Sequence, residues 1–533
     1  MTRWAIVADL NRCVGCQTCT AACKHANNTA PDVQWRKVLD FETGEFPDVR
    51  RAFVPVGCMH CEEPSCMDVC PSTATFKRED GIVGINYDIC LGCAYCAVAC
   101  PYQARFRVDE PAAAFGKNLR MRHETKREDP ARLSVAQKCT LCVDRIDEGL
   151  AAGLTPGVDM AATPACVASC ISGALAMGDL DDPESNVSRL LREKRHFRMH
   201  EELGNGPGFH YLYDGDIANH EPIEPAPMEA EPVGLAAVSP KLQKNWDWRA
   251  AANFTFGGTG TGLFAAAMVA GLFAPVVWLA VFFGLAFTGA GLFCVWLEIG
   301  RPWRFLNVFR NPRTSWMSRE AIAAIPFFGL GGLSWLLGAP ALGWLAAACG
   351  LFFLYCQARI LRAAKGIPAW RQPGIVPLIV ATGLTEGVGL WTVAATLWGA
   401  VAGVAPAPLT AAALALAVLI GLRALAWRNY RAALGNTGAP TPVFAILDSP
   451  RAALFALPQA GLAALALLAP VVPAGLGAPL LALAGLGAAL SGWLFKYTLI
   501  TKAAYNQGYA LERMPARGAG LSAPGIKPGW AKA

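Results

Sequence analysis

The chain has 533 residues, of which 54% are hydrophobic and only 16% charged, and it contains 19 cysteines. This length allows two or three domains, and so apolar a composition is unusual for a wholly soluble protein. The net charge of +6 gives no reason to expect a nucleic-acid partner, because the basic residues lie between apolar runs.

Sixteen of the cysteines lie in the first 170 residues and form four groups of four. The first and third groups have the spacing C-x2-C-x2-C-x3-C of bacterial ferredoxins, and the third also ends in Cys-Pro. The second group stretches one gap to four residues, and the fourth places 23 residues between its two pairs. The groups are Cys13, Cys16, Cys19 and Cys23; Cys58, Cys61, Cys66 and Cys70; Cys90, Cys93, Cys96 and Cys100; and Cys139, Cys142, Cys166 and Cys170.

This spacing indicates iron–sulfur clusters. Three thiolates on one tight loop can bind three irons of a cube, and the fourth cysteine binds the neighbouring cluster. Sixteen thiolates therefore predict four 4Fe–4S clusters in two swapped pairs. Disulfides would suit a small secreted chain, and we recognise no secretory signal before Cys13. Zinc sites use pairs of C-x2-C instead of such triplets.

The swap rule assigns the ligands of the two inner clusters. We number them cluster 3, with Cys58, Cys61, Cys66 and Cys100, and cluster 4, with Cys90, Cys93, Cys96 and Cys70. Around these loops we expect a small α+β unit. A strand is predicted at Trp4–Ala8, and another at Ile82–Ile85 after an Asp-Gly turn.

The first 200 residues resemble the iron–sulfur subunits of the DMSO reductase family of molybdenum enzymes. The resemblance lies in the runs C-V-G-C-Q-T-C from Cys13, H-C-E-E-P-S-C from His60, C-L-G-C-A-Y-C from Cys90 and K-C-T-L-C-V-D-R from Lys138. One departure is Ile171, where the family usually has proline. The resemblance implies a ferredoxin-like fold with four clusters and a molybdopterin-containing catalytic subunit as partner.

The resemblance, together with the swap rule, also assigns the outer ligands. Cluster 1 would use Cys13, Cys16, Cys19 and Cys170, and cluster 2 would use Cys139, Cys142, Cys166 and Cys23. Related nitrate reductase subunits have a tryptophan at the position of Cys93 and a three-iron cluster. The cysteine here implies that all four cubes are complete. Cluster 4 is then expected nearest the membrane, and cluster 1 nearest the molybdenum.

The second half of the chain is predicted to be an all-α membrane domain of about eight helices. We expect a cluster domain at 1–213, an acidic, proline-rich linker at 214–245, a membrane domain at 246–510 and a tail at 511–533. Eight apolar runs approach the roughly 20 residues that a span needs. They lie near 253–273, 275–297, 320–337, 341–358, 374–400, 407–426, 452–472 and 478–500. The remaining cysteines, Cys294, Cys349 and Cys356, lie in such runs and are expected to be inert.

The charged loops predict the orientation in the membrane. Lys and Arg cluster in alternate connections, such as 301–319 and 359–371, whereas the other connections have none. The positive-inside rule then predicts a multi-pass protein of the cytoplasmic membrane, with both termini and the cluster domain in the cytoplasm. We recognise no twin-arginine signal, although a partner chain could carry one.

The membrane half resembles the anchor subunit of DMSO reductase, notably in G-R-P from Gly300 and S-W-M-S-R-E from Ser315. Such anchors exchange electrons with quinone and hold no haem, and no histidine follows His220. The candidate quinone-binding residues are Glu298, Arg301 and Arg319, which are polar and near the cluster side, and Glu386, which is an ionisable group deep in its span. Interfacial anchoring is the alternative for the first three. Glu386 lies about 18 Å into its span, where an inter-helix hydrogen bond is the alternative.

Together these features predict an electron-transfer and membrane-anchor subunit that links a molybdopterin catalytic subunit to the quinone pool. The cytoplasmic orientation favours sulfite oxidation with quinone reduction. The alternative is a quinol-driven reductase of DMSO or another S- or N-oxide. A proton-translocating membrane protein is a different class of alternative, with Glu386 as its support, and an assembly scaffold would have no need for sixteen ligands.

Overall fold

The computed structural model describes residues 2–43, 50–110, 129–216, 240–402 and 409–509, and the single residues 113, 115, 119 and 121. An α/β region extends to residue 216, and an all-helical region begins at residue 248. The predicted fold class is therefore confirmed. Most of the predicted linker and the whole of the predicted tail lie outside the described residues.

The α/β region is built on one four-stranded sheet. Its strands are β1 Trp4–Asp9, β2 Arg36–Thr43, β3 Arg50–Gly57, β4 Thr75–Lys77, β5 Val83–Ile85, β6 Phe106–Arg107, β7 Ala136–Gln137, β8 Leu175–Asp179, β9 Lys194–Phe197 and β10 Phe209–Asp216. The sheet has the order β8-β1-β10-β9, with β1 parallel to β10 and antiparallel to β8. The remaining strands form the antiparallel pairs β2-β3, β4-β5 and β6-β7.

Both predicted strands are present, as β1 and β5. All six residues of β1 are buried, which agrees with its unbroken apolar run, since a strand covered on both faces needs no polar alternation. Short helices connect the strands: α1 Thr18–Asn27, α2 Ser65–Asp68, α3 Tyr95–Ala99, α4 Val143–Ala151, α5 Ala165–Ala168 and α6 Asn186–Glu193. Five of them, α1 to α5, begin within two residues of a cysteine and so hold the cysteine loops in position.

The helical region contains long helices and short connectors. They are α7 Trp248–Ala270, α8 Trp278–Glu298, α9 Trp316–Leu337, α10 Pro340–Ala363, α11 Pro368–Arg371, α12 Ile375–Ala402, α13 Leu409–Leu434, α14 Thr441–Leu447, α15 Pro450–Ala456, α16 Gln459–Leu468 and α17 Ala474–Thr501. In the described part of the chain, seven helices are long and apolar enough to cross a membrane, counting α15 with α16 as one. That segment breaks at Pro458, which has no N–H for a helical hydrogen bond.

The helix α7 is the eighth long helix, and its glycines and threonines give it a lower hydropathy than the other seven. It packs against α8, α10, α12 and α17 in the middle of the bundle. Both ends of the helical region also lie against the α/β region. Asn506 Oδ1 accepts from the N–H of Lys241 at 3.1 Å, which joins the two ends, and from Gln103 Nε2 of the α/β region at 2.8 Å. Tyr509 Oη donates to the carbonyl of Tyr102 at 2.7 Å. Both ends therefore lie on the same side of the helical bundle, which is consistent with an even number of long helices when α7 is counted with the other seven.

Candidate functional site

The structure brings together each predicted set of four cysteines, which we call sites 1 to 4 after the predicted clusters. Site 3 lines a cavity with about 340 Å³ of empty space. Site 1 lines a second cavity of about 310 Å³. At site 2 the thiol of Cys23 faces Cys139, Cys142 and Cys166. At site 4 the thiol of Cys93 faces the other three cysteines of its set.

The four sites form a row. Cys19 of site 1 lies near Cys166 of site 2. Sites 2 and 3 adjoin through Cys139 and Cys58. Sites 3 and 4 adjoin through Cys66 and Cys96. Along this row, sites 1, 2, 3 and 4 are built mainly on the first, fourth, second and third cysteine groups of the sequence.

The two loops with ferredoxin spacing have the same backbone geometry. Gly15 and Gly92, each two residues after the first cysteine, have φ of 70° and 72°. Gln17 and Ala94, each following the second cysteine, have φ of 61° and 57° and immediately precede α1 and α3. These left-handed residues turn each loop back on itself, so that its three thiols point to one side.

The chemistry of the sites fits iron–sulfur clusters. Four thiols surround each site, which is the ligand set of a 4Fe–4S cube. At Cys58, burial opposes ionisation, yet His60 and Lys138 hold the pKa of the thiol well below its usual range. Buried cationic side chains among the thiols suit clusters that carry net negative charge. Among the described residues no three His, Cys, Asp or Glu side chains can share one metal ion, whereas each cysteine of a cube binds its own iron.

Site 4 lies against the helical region. The backbone N–H groups of Gly300 and Arg301 donate to carbonyls of the group-three loop, residues 90–96, at 3.2 and 2.9 Å. The indole N–H of Trp246 donates to the carbonyl of Cys93 at 2.9 Å. The other ligand loop of site 4 is held as well, since Ser315 Oγ donates to the Val69 carbonyl beside Cys70 at 2.9 Å.

Two of the predicted quinone residues have carbonyl oxygens as partners. Arg301 Nη2 donates to the carbonyls of Pro130 and Leu133, both at 2.9 Å. Arg319 Nε donates to the carbonyl of Pro312 at 2.9 Å, and its guanidinium lies 4.2 Å from the centre of the Trp316 ring. These contacts favour the interfacial anchoring role for both arginines over donation to a quinone.

Glu298 is a buried carboxylate close to site 4. It ends α8 and is only 5% exposed, and its Oε1 has no hydrogen-bond partner among the described residues. Arg107 Nη1 joins it to site 4, because this atom donates both to the Glu298 carbonyl at 3.2 Å and to the Gly92 carbonyl at 2.9 Å.

Glu320, a buried carboxylate near the start of α9, was not among the predicted site residues. It is 5% exposed, and Asn253 Nδ2 donates to its Oε1 at 3.4 Å. Gln357 Nε2 donates to the Asn253 carbonyl at 3.0 Å. Tyr95, two residues after Cys93, faces the same carboxylate. Arg319, the residue before Glu320, was predicted instead, although Glu320 is the one whose side chain is buried.

Glu386 is not alone in the bundle. Its Oε2 accepts from Lys496 Nζ at 2.7 Å and from Thr259 Oγ1 at 2.8 Å, which ties α12 to α17 and α7. Both charged side chains have no exposed surface. Two glycines leave room for the pair. A Cβ at Gly492 would collide with Glu386 Oε1, and a Cβ at Gly258 would lie 2.6 Å from Lys496 Nζ. These contacts favour the inter-helix role.

Comparisons with known proteins agree with this geometry. A family profile described as a 4Fe-4S dicluster domain matches residues 49–127, and one described as DMSO reductase anchor subunit (DmsC) matches residues 262–485. The chain is 39% identical to a selenate reductase subunit of Mesobacillus selenatarsenatis over 39% of its own length and 72% of that protein. It is 37% identical to a sulfite dehydrogenase subunit of Allochromatium vinosum over 40% of its length and 83% of that protein.

A third relative is a tetrathionate reductase subunit of Salmonella typhimurium, with 37% identity over 40% of this chain and 72% of that protein. Each of these relatives matches about two fifths of the chain, and the anchor profile accounts for most of the helical half. The chain belongs to the iron–sulfur subunits of the DMSO reductase family of oxidoreductases and carries a membrane anchor of the DmsC type in the same polypeptide.

Proposed function

We propose that this chain transfers electrons through four 4Fe–4S clusters between a molybdopterin-containing catalytic subunit and quinone in the membrane. The observation that carries the proposal is the row of four cysteine sites ending at the helical region, where the indole of Trp246 donates to the Cys93 carbonyl. When bound, the clusters would supply one-electron transfer. The protein holds their thiolate ligands in a fixed row and excludes water from most of them.

The ligand assignment can be tested at Cys93. Cys93→Trp should remove one ligand of cluster 4, so that the protein loses one iron and the oxidised form gains the EPR signal of a three-iron cluster. Quinone-linked turnover should slow, because site 4 adjoins the helical region. Cys349→Ser is the matched control, since this thiol lies in α10 away from the four sites. An unchanged EPR spectrum in Cys93→Trp would reject the assignment.

A quinone site is proposed between site 4 and the buried carboxylates Glu298 and Glu320. Quinone chemistry couples electrons to protons, and each carboxylate can hold a proton beside the headgroup at the cluster end of the bundle. Asn253 orients Glu320 through its amide, at 3.4 Å. Glu386 is a less favoured participant, because Lys496 and Thr259 already occupy its Oε2.

Carboxamide variants test this site. Glu320→Gln and Glu298→Gln should weaken binding of a quinone-site inhibitor and slow quinone-linked turnover, while electron transfer from a soluble donor to the clusters is preserved. Asp448→Asn, an exposed carboxylate that pairs with Arg431 at 2.6 Å, is the control. Unchanged inhibitor affinity and turnover in both glutamine variants would assign these two glutamates to anchoring.

We propose sulfite as the substrate of the catalytic partner, with quinone as the electron acceptor. The loop charges support a cytoplasmic cluster domain, and one relative is named as a sulfite dehydrogenase subunit. Quinol-driven reduction of DMSO or another S- or N-oxide is the competing reaction. The purified complex should reduce a quinone analogue when given sulfite. Oxidation of a reduced analogue by DMSO, without sulfite activity, would favour the competitor.

A further inference from the structure

A buried cationic or hydrogen-bonding side chain lies at every junction between neighbouring cysteine sites. Arg36 stands between sites 1 and 2, and Arg105 between sites 3 and 4. His60 and Lys138 stand between sites 2 and 3. Nothing in the ligand spacing requires these side chains, so their placement needs its own explanation.

Arg36 is the most unusual of them. It is the first residue of β2 and only 1% exposed. Among the described residues its three guanidinium nitrogens meet no oxygen acceptor, and their polar contact is with the thiol of Cys166. The group faces thiols of site 2, Cys166, Cys139 and Cys23, and then Cys19 of site 1. A buried charge without partners is very costly unless an opposite charge lies beside it.

The surroundings hold the Arg36 guanidinium in this position. It lies 4.8 Å from the centre of the Phe209 ring, which covers one face. Gly57 covers another side, where a Cβ would lie 3.1 Å from Nη1. Two negatively charged clusters, one on each side, would supply the compensating charge that the described residues do not.

Arg105 occupies the equivalent position at the other end of the row. Its Nη2 lies 2.9 Å from the Sγ of Cys66, and its Nη1 donates to Thr75 Oγ1 at 3.0 Å. It lines the cavity of site 3 and also faces Cys96 of site 4. Each swapped pair of sites thus has one buried arginine at its junction.

We propose that Arg36 and Arg105 raise the reduction potentials of the two clusters that flank each of them, Arg36 acting on clusters 1 and 2 and Arg105 on clusters 3 and 4. This inference rests on the proposed four-cluster function. A cluster gains negative charge on reduction, so a fixed positive charge beside it favours the reduced form, most strongly where water is excluded. Arginine keeps its charge at every pH of interest.

The test is a redox titration followed by EPR on the complete complex, with iron content measured in the same samples. Arg36→Gln and Arg36→Met should shift two of the four potentials to more negative values and leave the other two unchanged. Arg105→Gln should shift the complementary two. Arg36→Lys retains the positive charge and should keep the potentials of both clusters close to their wild-type values. Arg3→Gln is the control, because Arg3 is an exposed arginine in the same domain, paired with Glu62.

Each outcome decides between the alternatives. Unchanged potentials in fully loaded neutral variants, or an equal shift of all four, would overturn the inference and leave the proposed function standing. Loss of two clusters in both Arg36→Gln and Arg36→Met, with retention in Arg36→Lys, would assign Arg36 to cluster assembly and would also overturn it. A wild-type complex with fewer than four cubes would instead contradict the proposed function.

Discussion

His210, at the residue scale, ties the stability of the α/β region to pH. It lies on β10, paired with Val7 of β1, and is 9% exposed. Burial lowers its pKa to about 4, and the positive neighbours His196, Arg198 and Arg3 add to the shift. An unfolded histidine titrates near 6.5. Between these two values the unfolded chain binds a proton that the folded chain does not.

We therefore predict that the contribution of neutral His210 to folded stability is fully present above pH 6.5 and is lost as the pH drops toward 4. The contribution at its largest is about 3 kcal/mol, at roughly 1.4 kcal/mol for each pKa unit. His210→Phe should reduce the loss of thermal stability between pH 7.5 and pH 5.5. His25→Phe, a replacement of an exposed histidine on α1, should leave the loss as it is in the wild type. An identical pH dependence in wild type and His210→Phe would show that other groups cause the acid lability.

Single residues also show what a sequence can reveal. The cysteine groups were predictable because a cube imposes its ligand spacing on a short loop, whereas the fourth cysteine of each set came from the swap rule and, for the two outer sets, also from the family resemblance. The junction arginines were not, since Arg36 and Arg105 carry a charge that normally marks the surface. Glu320 was missed for a related reason: a charged residue at the end of a span looks the same whether it points to lipid headgroups or inward.

At the scale of elements, the group-three loop depends on one glycine. Gly92 has φ +72°, and a Cβ there would collide with the Ser134 carbonyl and lie 3.1 Å from Gly300 Cα. The loop can therefore approach both neighbours only without a side chain. Gly153 is a matched position, because it has φ +75° and nothing within 4 Å of the Cβ site.

Gly92→Ala should displace the group-three loop from the helical region. The expected result is a strong loss of quinone-linked turnover, with electron transfer from a soluble donor to the other clusters retained. Gly153→Ala carries the same backbone strain without the collision and should preserve turnover. Equal losses in both variants would mean that strain, and not docking, determines the effect.

The pair of Glu386 and Lys496 connects α12 with α17. Removing one member leaves a buried charge without compensation, which costs about 3–5 kcal/mol. Glu386→Gln and Lys496→Met should each lower the thermal stability of the detergent-solubilised protein, and the double variant should recover most of it. Turnover of the recovered double variant then separates the two roles. Normal turnover fits a structural pair, whereas slow turnover at restored stability would give Glu386 a part in quinone or proton chemistry.

Among the described elements, α7 is the one long helix that hydropathy alone does not mark as a span, and the break between α15 and α16 was not predicted. Hydropathy scores exposure to lipid, whereas α7 is surrounded by other helices. Its glycines allow close packing, as at Gly262, where a Cβ would lie 3.2 Å from Gly387 Cα. Its Thr259 contacts the carboxylate of Glu386. The sequence predicted this helix as the run 253–273, but its central place in the bundle follows only from its neighbours.

At the scale of the whole molecule, the positive loops have two causes. The positive-inside rule is one. Docking is the other, because several of these side chains bind the α/β region: Arg304 Nη1 donates to the Tyr87 carbonyl at 2.6 Å, and Lys365 Nζ donates to the Leu203 carbonyl at 2.9 Å. Docking would put positive charge on this face whichever compartment it faces. The orientation therefore calls for a direct measurement.

We predict that the α/β region is cytoplasmic and should be digested by protease in inside-out membrane vesicles but protected in intact spheroplasts. The predicted even number of crossings adds a second reporter: a fusion after Ala533 should report the cytoplasm when the α/β region does. Permeabilised spheroplasts provide the control that the region is cleavable. Digestion in intact spheroplasts would place the clusters outside the cytoplasm, so that docking alone explains the charged loops. The sulfite assignment would then give way to a respiratory reductase of S- or N-oxides.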